Sequence, residues 1–344
     1  MRRFLLFVTL ALAGTSCTHT TLARRLVCAP NLQATPSLRF GDMTDAFAAV
    51  SVPTRNPEVF LKALVVEPGD WHLAYTYTPK RTERSFEADV QMSFEKPEGF
   101  KTDPKGTVIL LHGFGQQKEQ MLHWALSLAQ QGFRSVTVDL RGHGRSSGRW
   151  IGYGAFEVDD MRCVLDTLIS RRLVSGKVGV LGVSLGASVA IQWAGADPRV
   201  SSVVALEPFS DPQWAIESMT RHFPPYRRKL WWASESTIQR AIQDAPREAG
   251  FTWAEVDVPK AAKAVNGPIL FIHGADDAMV PPQHSHRLSA GAPAGSRVLI
   301  LPGEDHISLA LQLRTMEAAV HEWFKSHLTG NLPSLPIPSD GRSS

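Results

Sequence analysis

From Gly106 onward, short continuous apolar runs alternate with stretches of helical periodicity. The runs are Val108–Leu111, Val136–Leu140, Val178–Val183, Val203–Leu206, Ile269–Ile272 and Val298–Leu301. A run of this length with no polar alternation leaves no solvated face, so each predicts a parallel strand covered on both sides. Between them, helices are predicted at Glu119–Gln131, Val158–Leu173, Leu185–Ala194 and His284–Ala290, with a final one over Leu309–His327. Two earlier segments, Leu73–Thr78 and the alternating Phe86–Phe94, predict an antiparallel pair that opens the sheet. The sum is an α/β fold: a mostly parallel sheet of about eight strands with helices on both faces.

The regularity breaks between Asp211 and Gly267, a stretch holding Trp214, Trp231, Trp232 and Trp253 beside Phe223 and Tyr226. It is too long for a bare loop and predicts a helical cap over one end of the sheet. Thr18 to about Pro53 is rich in Thr, Ala and Ser without sustained periodicity and reads as a linker or loose extension. Asn56-Pro57 then carries the signature of an N-cap with proline at the first helical position, predicting a short helix with Val59, Phe60, Ala63 and Leu64 as its stripe. Residues 329–344, rich in Pro and Ser, read as a disordered tail. The expected organisation is 1–16 signal, 17–70 extension, 71–210 and 268–328 core, 211–267 cap, 329–344 tail.

The 344 residues are 43% apolar and 20% charged, enough to bury a large core and incompatible with a disordered or fibrous chain. Net charge is +3, with no basic run beyond pairs such as Arg227-Arg228, so nucleic acid is not expected as a partner. Cys17, Cys28 and Cys163 have no C-x-x-C spacing and are too few for a disulfide scaffold, so no structural metal is expected. Cys163, among Val164, Leu165 and Leu168, reads as a core residue, and pairing with Cys28 is left open. At the N-terminus, Arg2 and Arg3 precede an apolar run from Phe4 to Ala13 that suits a secretory signal and is too short for a bilayer span. The Gly14-Thr15-Ser16-Cys17 that comes next resembles a bacterial lipoprotein signal, although Gly14 stands where a leucine-like residue is usual. It implies membrane attachment through a lipidated Cys17 and a location in the cell envelope; ordinary secretion is the alternative.

The chemistry concentrates at strand ends. Gly182-Val183-Ser184-Leu185-Gly186 follows one apolar run and opens a helix, the context that gives G-x-S-x-G its meaning: a sharp turn that lifts the Ser184 hydroxyl clear of the sheet. A serine hydroxyl is a poor nucleophile at neutral pH and needs a histidine base steadied by an acid. His273-Gly274-Ala275-Asp276-Asp277 and Pro302-Gly303-Glu304-Asp305-His306 come after two later strands and supply both. Of the twelve histidines, His306 occupies the loop after the last strand. His112 and His143 read as loop-shaping residues. His284 and His286, two apart on a helix, share no face and read as solvated surface. Gly142-x-Gly144 misplaces the third glycine of a dinucleotide fingerprint, and no phosphate-binding loop occurs.

With Leu111-His112-Gly113-Phe114 and the Asp139–Gly148 segment DLRGHGRSSG, these motifs resemble the α/β-hydrolase superfamily, specifically bacterial serine hydrolases of esterase, thioesterase or serine aminopeptidase type. The resemblance spans roughly Gly106 to Leu328. It implies the α/β-hydrolase fold and a catalytic triad of Ser184, Asp277 and His306. Asp277 is preferred over Asp276 because it lies three residues after Gly274 and four before Pro281. It also implies an oxyanion hole from the backbone N–H groups of Leu185 and Phe114, with Gly115 as the alternative to the latter. No cofactor is implied. The expected substrate is a small-molecule ester, with a thioester or amide as the alternative; a non-catalytic binding protein on the same scaffold is a reading of a different class, against which the complete triad speaks. The cap aromatics, Trp231 and Trp232 among them, are candidates for lining an apolar pocket or for packing the cap onto the sheet. Arg221, Arg227 and Arg228 read as cap surface.

Overall fold

In the computed structural model, residues 4–5, 19–32, 45–81, 86–99 and 103–329 are described. The signal segment up to Ser16, apart from Phe4–Leu5, and Cys17 lie outside these residues, as do 330–344 of the tail. An eight-stranded sheet forms the centre. Its strands are β1 (Ala48–Pro53), β2 (Phe60–Val66), β5 (Thr107–Leu111), β6 (Arg134–Asp139), β7 (Val178–Val183), β8 (Val200–Leu206), β9 (Ile269–Gly274) and β10 (Arg297–Leu301). The spatial order is β10-β9-β8-β7-β5-β6-β2-β1. All neighbours from β6 through β5 to β10 run parallel, whereas β2 is antiparallel to both β6 and β1. Every residue of β5, β7 and β9 is buried, as continuous apolar runs require.

The two strands that complete this sheet are not the pair expected. β3 (His72–Arg81) and β4 (Phe86–Glu95) are antiparallel partners as read, but they form a separate ribbon, to which Phe4–Leu5 adds at Asp89–Val90. The outer strands β1 and β2 instead come from segments read as linker and helix. The Asn56-Pro57 signature is spent on a turn: Asn56 Oδ1 accepts from Glu58 N, and Thr54 Oγ1 donates to Val59 O. Phe60–Val66 then pairs along β6, which buries Ala63 to Val66 on both faces. Its apolar positions suit either period, and strand pairing with β6 decided between them.

Helices cover both faces. α2 (Leu122–Gln130) and α11 (Leu313–Leu328) lie on one, with Trp71 and Tyr75; α3 (Glu157–Ser170), α4 (Leu185–Ala196), α8 (Val258–Ala264) and α9 (Gln283–Ser289) lie on the other. The last predicted helix is broken at Gln312 into α10 (His306–Leu311) and α11. Between α4 and α8, α5 (Pro212–His222), α6 (Pro224–Lys229) and α7 (Glu235–Ala249) make the cap. Asp211 caps α5 by accepting from Gln213 N and Trp214 N.

Residues 19–32, read as part of a loose extension, are ordered against the cap. α1 (His19–Val27) packs along α7, burying Leu22, Ala23 and Val27, and His19 approaches Asp244 at 3.8 Å. Its C-terminal end is pinned to the 149–153 loop by backbone bonds from Ile151 N to Val27 O and from Ala29 N to Arg149 O, and by the bond from Tyr153 OH to Leu26 O. Cys28 and Cys163 are both half-buried, and no disulfide joins them.

Candidate active site

Ser184 sits where β7 passes into α4, with φ 51° and ψ −113°, a left-handed conformation that a serine adopts only under constraint. The constraint is visible at the flanking glycines. A Cβ at Gly182 would lie 2.3 Å from Gly186 O, and one at Gly186 would lie 2.3 Å from Leu111 O. Backbone of β5, β7 and α4 therefore meets without room for side chains, and the turn presents the hydroxyl beyond the carboxyl ends of the strands.

Two strand ends further along bring the partners. His306 heads α10, whose start is fixed by Asp305 accepting from Ile307 N and Ser308 N. His306 Nε2 lies 3.0 Å from Ser184 Oγ, and its Nδ1 lies 2.7 Å from Asp277 Oδ2. With a carboxylate at Nδ1, the neutral ring carries its proton there and presents a lone pair to the serine hydroxyl, the arrangement a general base needs. Asp277 Oδ1 accepts from Met279 N and Val280 N. Burial alone would raise the Asp277 pKa, but the charge of His306 and hydrogen bonds from His273 and His306 outweigh it and hold the carboxylate well below its ordinary range. Asp276 takes no part in these contacts.

His273 belongs to this set although its role was not legible in the sequence. It is fully buried; its Nε2 faces Val280 O at 2.7 Å and Asp277 Oδ2 at 3.2 Å, so that nitrogen donates, while Nδ1 faces Ser285 Oγ at 2.7 Å. Glu207, directly after β8, is also fully buried beside the ring, with Oε2 3.7 Å from His306 Nδ1. A charged residue immediately after an apolar strand at the carboxyl edge was the available signal for it.

The loop after β5 abuts Ser184: a Cβ on Gly113 would lie 3.5 Å from Ser184 Cβ. Gln116 Oε1 accepts from Gly113 N at 2.8 Å, and His112 Nδ1 donates to Gly113 O while its Nε2 accepts from Leu140 N. Burial drives the His112 pKa down to about 4, keeping the ring in the neutral form that this donor-acceptor pattern uses. Phe114 and Leu185, the two expected oxyanion donors, both line the cavity that contains Ser184 and His306. In the DLRGHGRSSG segment, the Asp139 carboxylate accepts from Lys118 N, Lys118 Nζ and Arg145 N, and Arg141 makes two bonds to Asp160. Those residues brace the loops around the site.

His284 departs from its reading as solvated surface. It is fully buried; its Nδ1 accepts from Ser210 N and faces Ser210 Oγ, and its ring lies 3.8 Å, centroid to centroid, from Trp214. Spacing along α9 excludes a shared metal face but says nothing about what covers the helix.

A family model described as serine aminopeptidase, S33, matches residues 102–249. The chain is 27% identical over 255 residues to the uncharacterized protein YqkD of Bacillus subtilis, covering 70% of this chain and 81% of that one. It is 23% identical to a monoacylglycerol lipase of Mycolicibacterium smegmatis over 252 residues, 65% of this chain and 83% of the relative. Among solved structures, the esterase Pf2001 of Pyrococcus furiosus superposes with a TM-score of 0.60 at 18% identity, covering 85% of this chain and 98% of that one. The chain has the α/β-hydrolase fold.

Above Ser184 the chain encloses an apolar cavity. Its roof comes from the cap, with Ile216, Met219, Tyr226, Leu230 and Ile238, and from α1, with Leu22, Arg25 and Leu26. The contribution of α1 was not legible, because it depends on a contact with α7 more than 200 residues away. The four cap tryptophans do not line this cavity. Trp231 is 82% exposed and Trp232 40%; Trp214 packs on His284, and Trp253 packs against Tyr153 and Phe251.

Proposed function

We propose that this protein is a serine hydrolase that cleaves a carboxylic ester with an apolar acyl group through a covalent acyl-enzyme. The observation that carries the reading is the continuous relay from Ser184 Oγ through His306 to Asp277, with spacings of 3.0 and 2.7 Å, opening into an apolar cavity. As Oγ attacks the ester carbonyl, its proton passes to His306 Nε2, and the imidazolium is stabilised by the Asp277 carboxylate. The N–H groups of Leu185 and Phe114 receive the oxyanion. His306 then protonates the departing alkoxide and afterwards activates the water that releases the acid.

The description of the matching family model favours an aminopeptidase as the second reading. Such an enzyme must hold a substrate ammonium, and the described residues lining the cavity include Arg25 and Lys229 but no carboxylate. An ester without a cationic head suits that lining better. The reading includes a place in the cell envelope: cleavage before Cys17 and lipidation there would tether the chain two residues before the start of α1.

The test is a panel of p-nitrophenyl esters of two to twelve carbons set against aminoacyl p-nitroanilides. The expected result is turnover of the esters with a preference for medium chains; turnover of the anilides alone would overturn the ester assignment in favour of the second reading.

A further inference from the structure

Glu207 is a costly residue. It follows β8 with φ 54°, in the left-handed region, where its N–H donates to Ile272 O of β9. It has no exposed surface, and among the described residues neither carboxyl oxygen has a hydrogen-bond partner. Strained backbone and an unpaired buried polar group both oppose folding, and an apolar residue would avoid the second. What the position provides is proximity: Oε2 lies 3.7 Å from His306 Nδ1, the atom that Asp277 Oδ2 holds at 2.7 Å. Donor atoms of Glu207, Asp277 and His306 all fall within 4.8 Å of one another.

We propose that Glu207 is a second positioning acid for His306, standing behind Asp277 at the same ring nitrogen and able to take its place. Two carboxyls this close to one imidazole share a single negative charge. Asp277 holds it in the resting relay, being the better hydrogen-bonded of the two. Burial, with the charges of Asp277, Asp305 and Glu304 around it, raises the Glu207 pKa well above its ordinary value. Its cationic neighbour among the described residues is the His306 ring when protonated. Removing the Asp277 carboxylate deletes the nearest of the repelling charges and leaves Nδ1 without its acceptor, so Glu207 ionises more readily and needs a shift of only about 1 Å to accept from Nδ1.

The inference rests on the relay reading above, and a double-mutant cycle separates the two. Ester turnover is measured from pH 5.5 to 9.5 for wild type, Asp277→Ala, Glu207→Gln and the double variant, with fluorophosphonate labelling of Ser184 followed in parallel. Glu207→Gln is expected to lower kcat a few-fold in the wild-type background and at least tenfold in the Asp277→Ala background. The residual activity of Asp277→Ala should rise with pH as Glu207 ionises, and the double variant should lose that rise. The same comparison in an Asp277→Asn background, which retains an oxygen to accept from Met279 N and Val280 N, guards against loss of folding. Equal kcat values and identical pH profiles for the single and double variants would overturn the role of Glu207. Failure of wild type to label at Ser184 would overturn the relay itself, and this inference with it.

Discussion

Gly186→Ala puts the geometry of the nucleophile turn to a quantitative test. A methyl group there would lie 2.3 Å from Leu111 O and 2.6 Å from His112 O, against the 3.4 Å at which ordinary contact begins. Both obstacles are backbone atoms at the end of β5, which pairs on both sides in the middle of the sheet, so neither can give way. The start of α4 must instead lift by about 1 Å. Overpacking of this kind costs about 1–3 kcal/mol, a fall in Tm of roughly 1–4 °C for a chain of this size. The same displacement carries Leu185 and Ser184 away from His306 and the Gly113-Phe114 loop, and a misplacement of about 1 Å can cost on the order of 100-fold in rate. Thermal unfolding by circular dichroism and kcat on a short-chain ester read the two effects. Gly99→Ala, where an added methyl meets nothing within 4 Å, is the control and should leave both unchanged. Parental Tm and kcat in Gly186→Ala would refute the claim that close backbone approach builds the site.

Three further outcomes are expected from the structure. Buried His112, His123, His143 and His284 have pKa values pushed down to about 4, 4, 3 and 3, chiefly by desolvation, so between pH 6.5 and 4.5 the unfolded chain binds protons there that the folded chain refuses. Glu207, raised, offsets about one of them. Stability should therefore fall with decreasing pH across that window by the equivalent of about three protons, at roughly 1.4 kcal/mol per proton per pH unit; a flat urea-denaturation profile would contradict it. Arg141→Ala strands the buried Asp160 carboxylate, which it now holds at 2.6 and 2.7 Å, and should cost about 3–5 kcal/mol by urea titration. Ile216→Trp should fill the cavity and cut kcat/KM for long-chain esters while sparing acetate, whereas Trp231→Ala, outside the cavity, should leave chain-length preference unaltered.

The interior strands were legible because each combines a run buried on both faces with a short polar or glycine-rich turn at its carboxyl end; β10, read as covered on both sides, is instead a partly exposed edge strand, whose apolar run still marked the segment that leads to His306. Ser184, Asp277 and His306 all stand at such ends, and the structure brings them within hydrogen-bond reach. What was not legible depended on partners distant in sequence. Phe60–Val66 satisfies helical and extended patterns alike until β6 is beside it. α1 lies in a stretch that reads as a linker or loose extension until its Leu22 and Val27 meet the rest of the chain. His284 carries no pattern distinguishing surface from interior, and its burial comes from Trp214 closing over it. The tryptophans of the cap announce burial by type, yet Trp231 is exposed to solvent, since which face of the cap meets the cavity is set by α5 and α7.

The relay is tested most directly by mass spectrometry of the protein after treatment with a fluorophosphonate. One phosphonyl adduct on the peptide containing Ser184, formed on the order of 1,000-fold more slowly in His306→Ala, is the predicted result. An adduct elsewhere, or labelling of Ser184 at the same rate without the imidazole, would contradict the account.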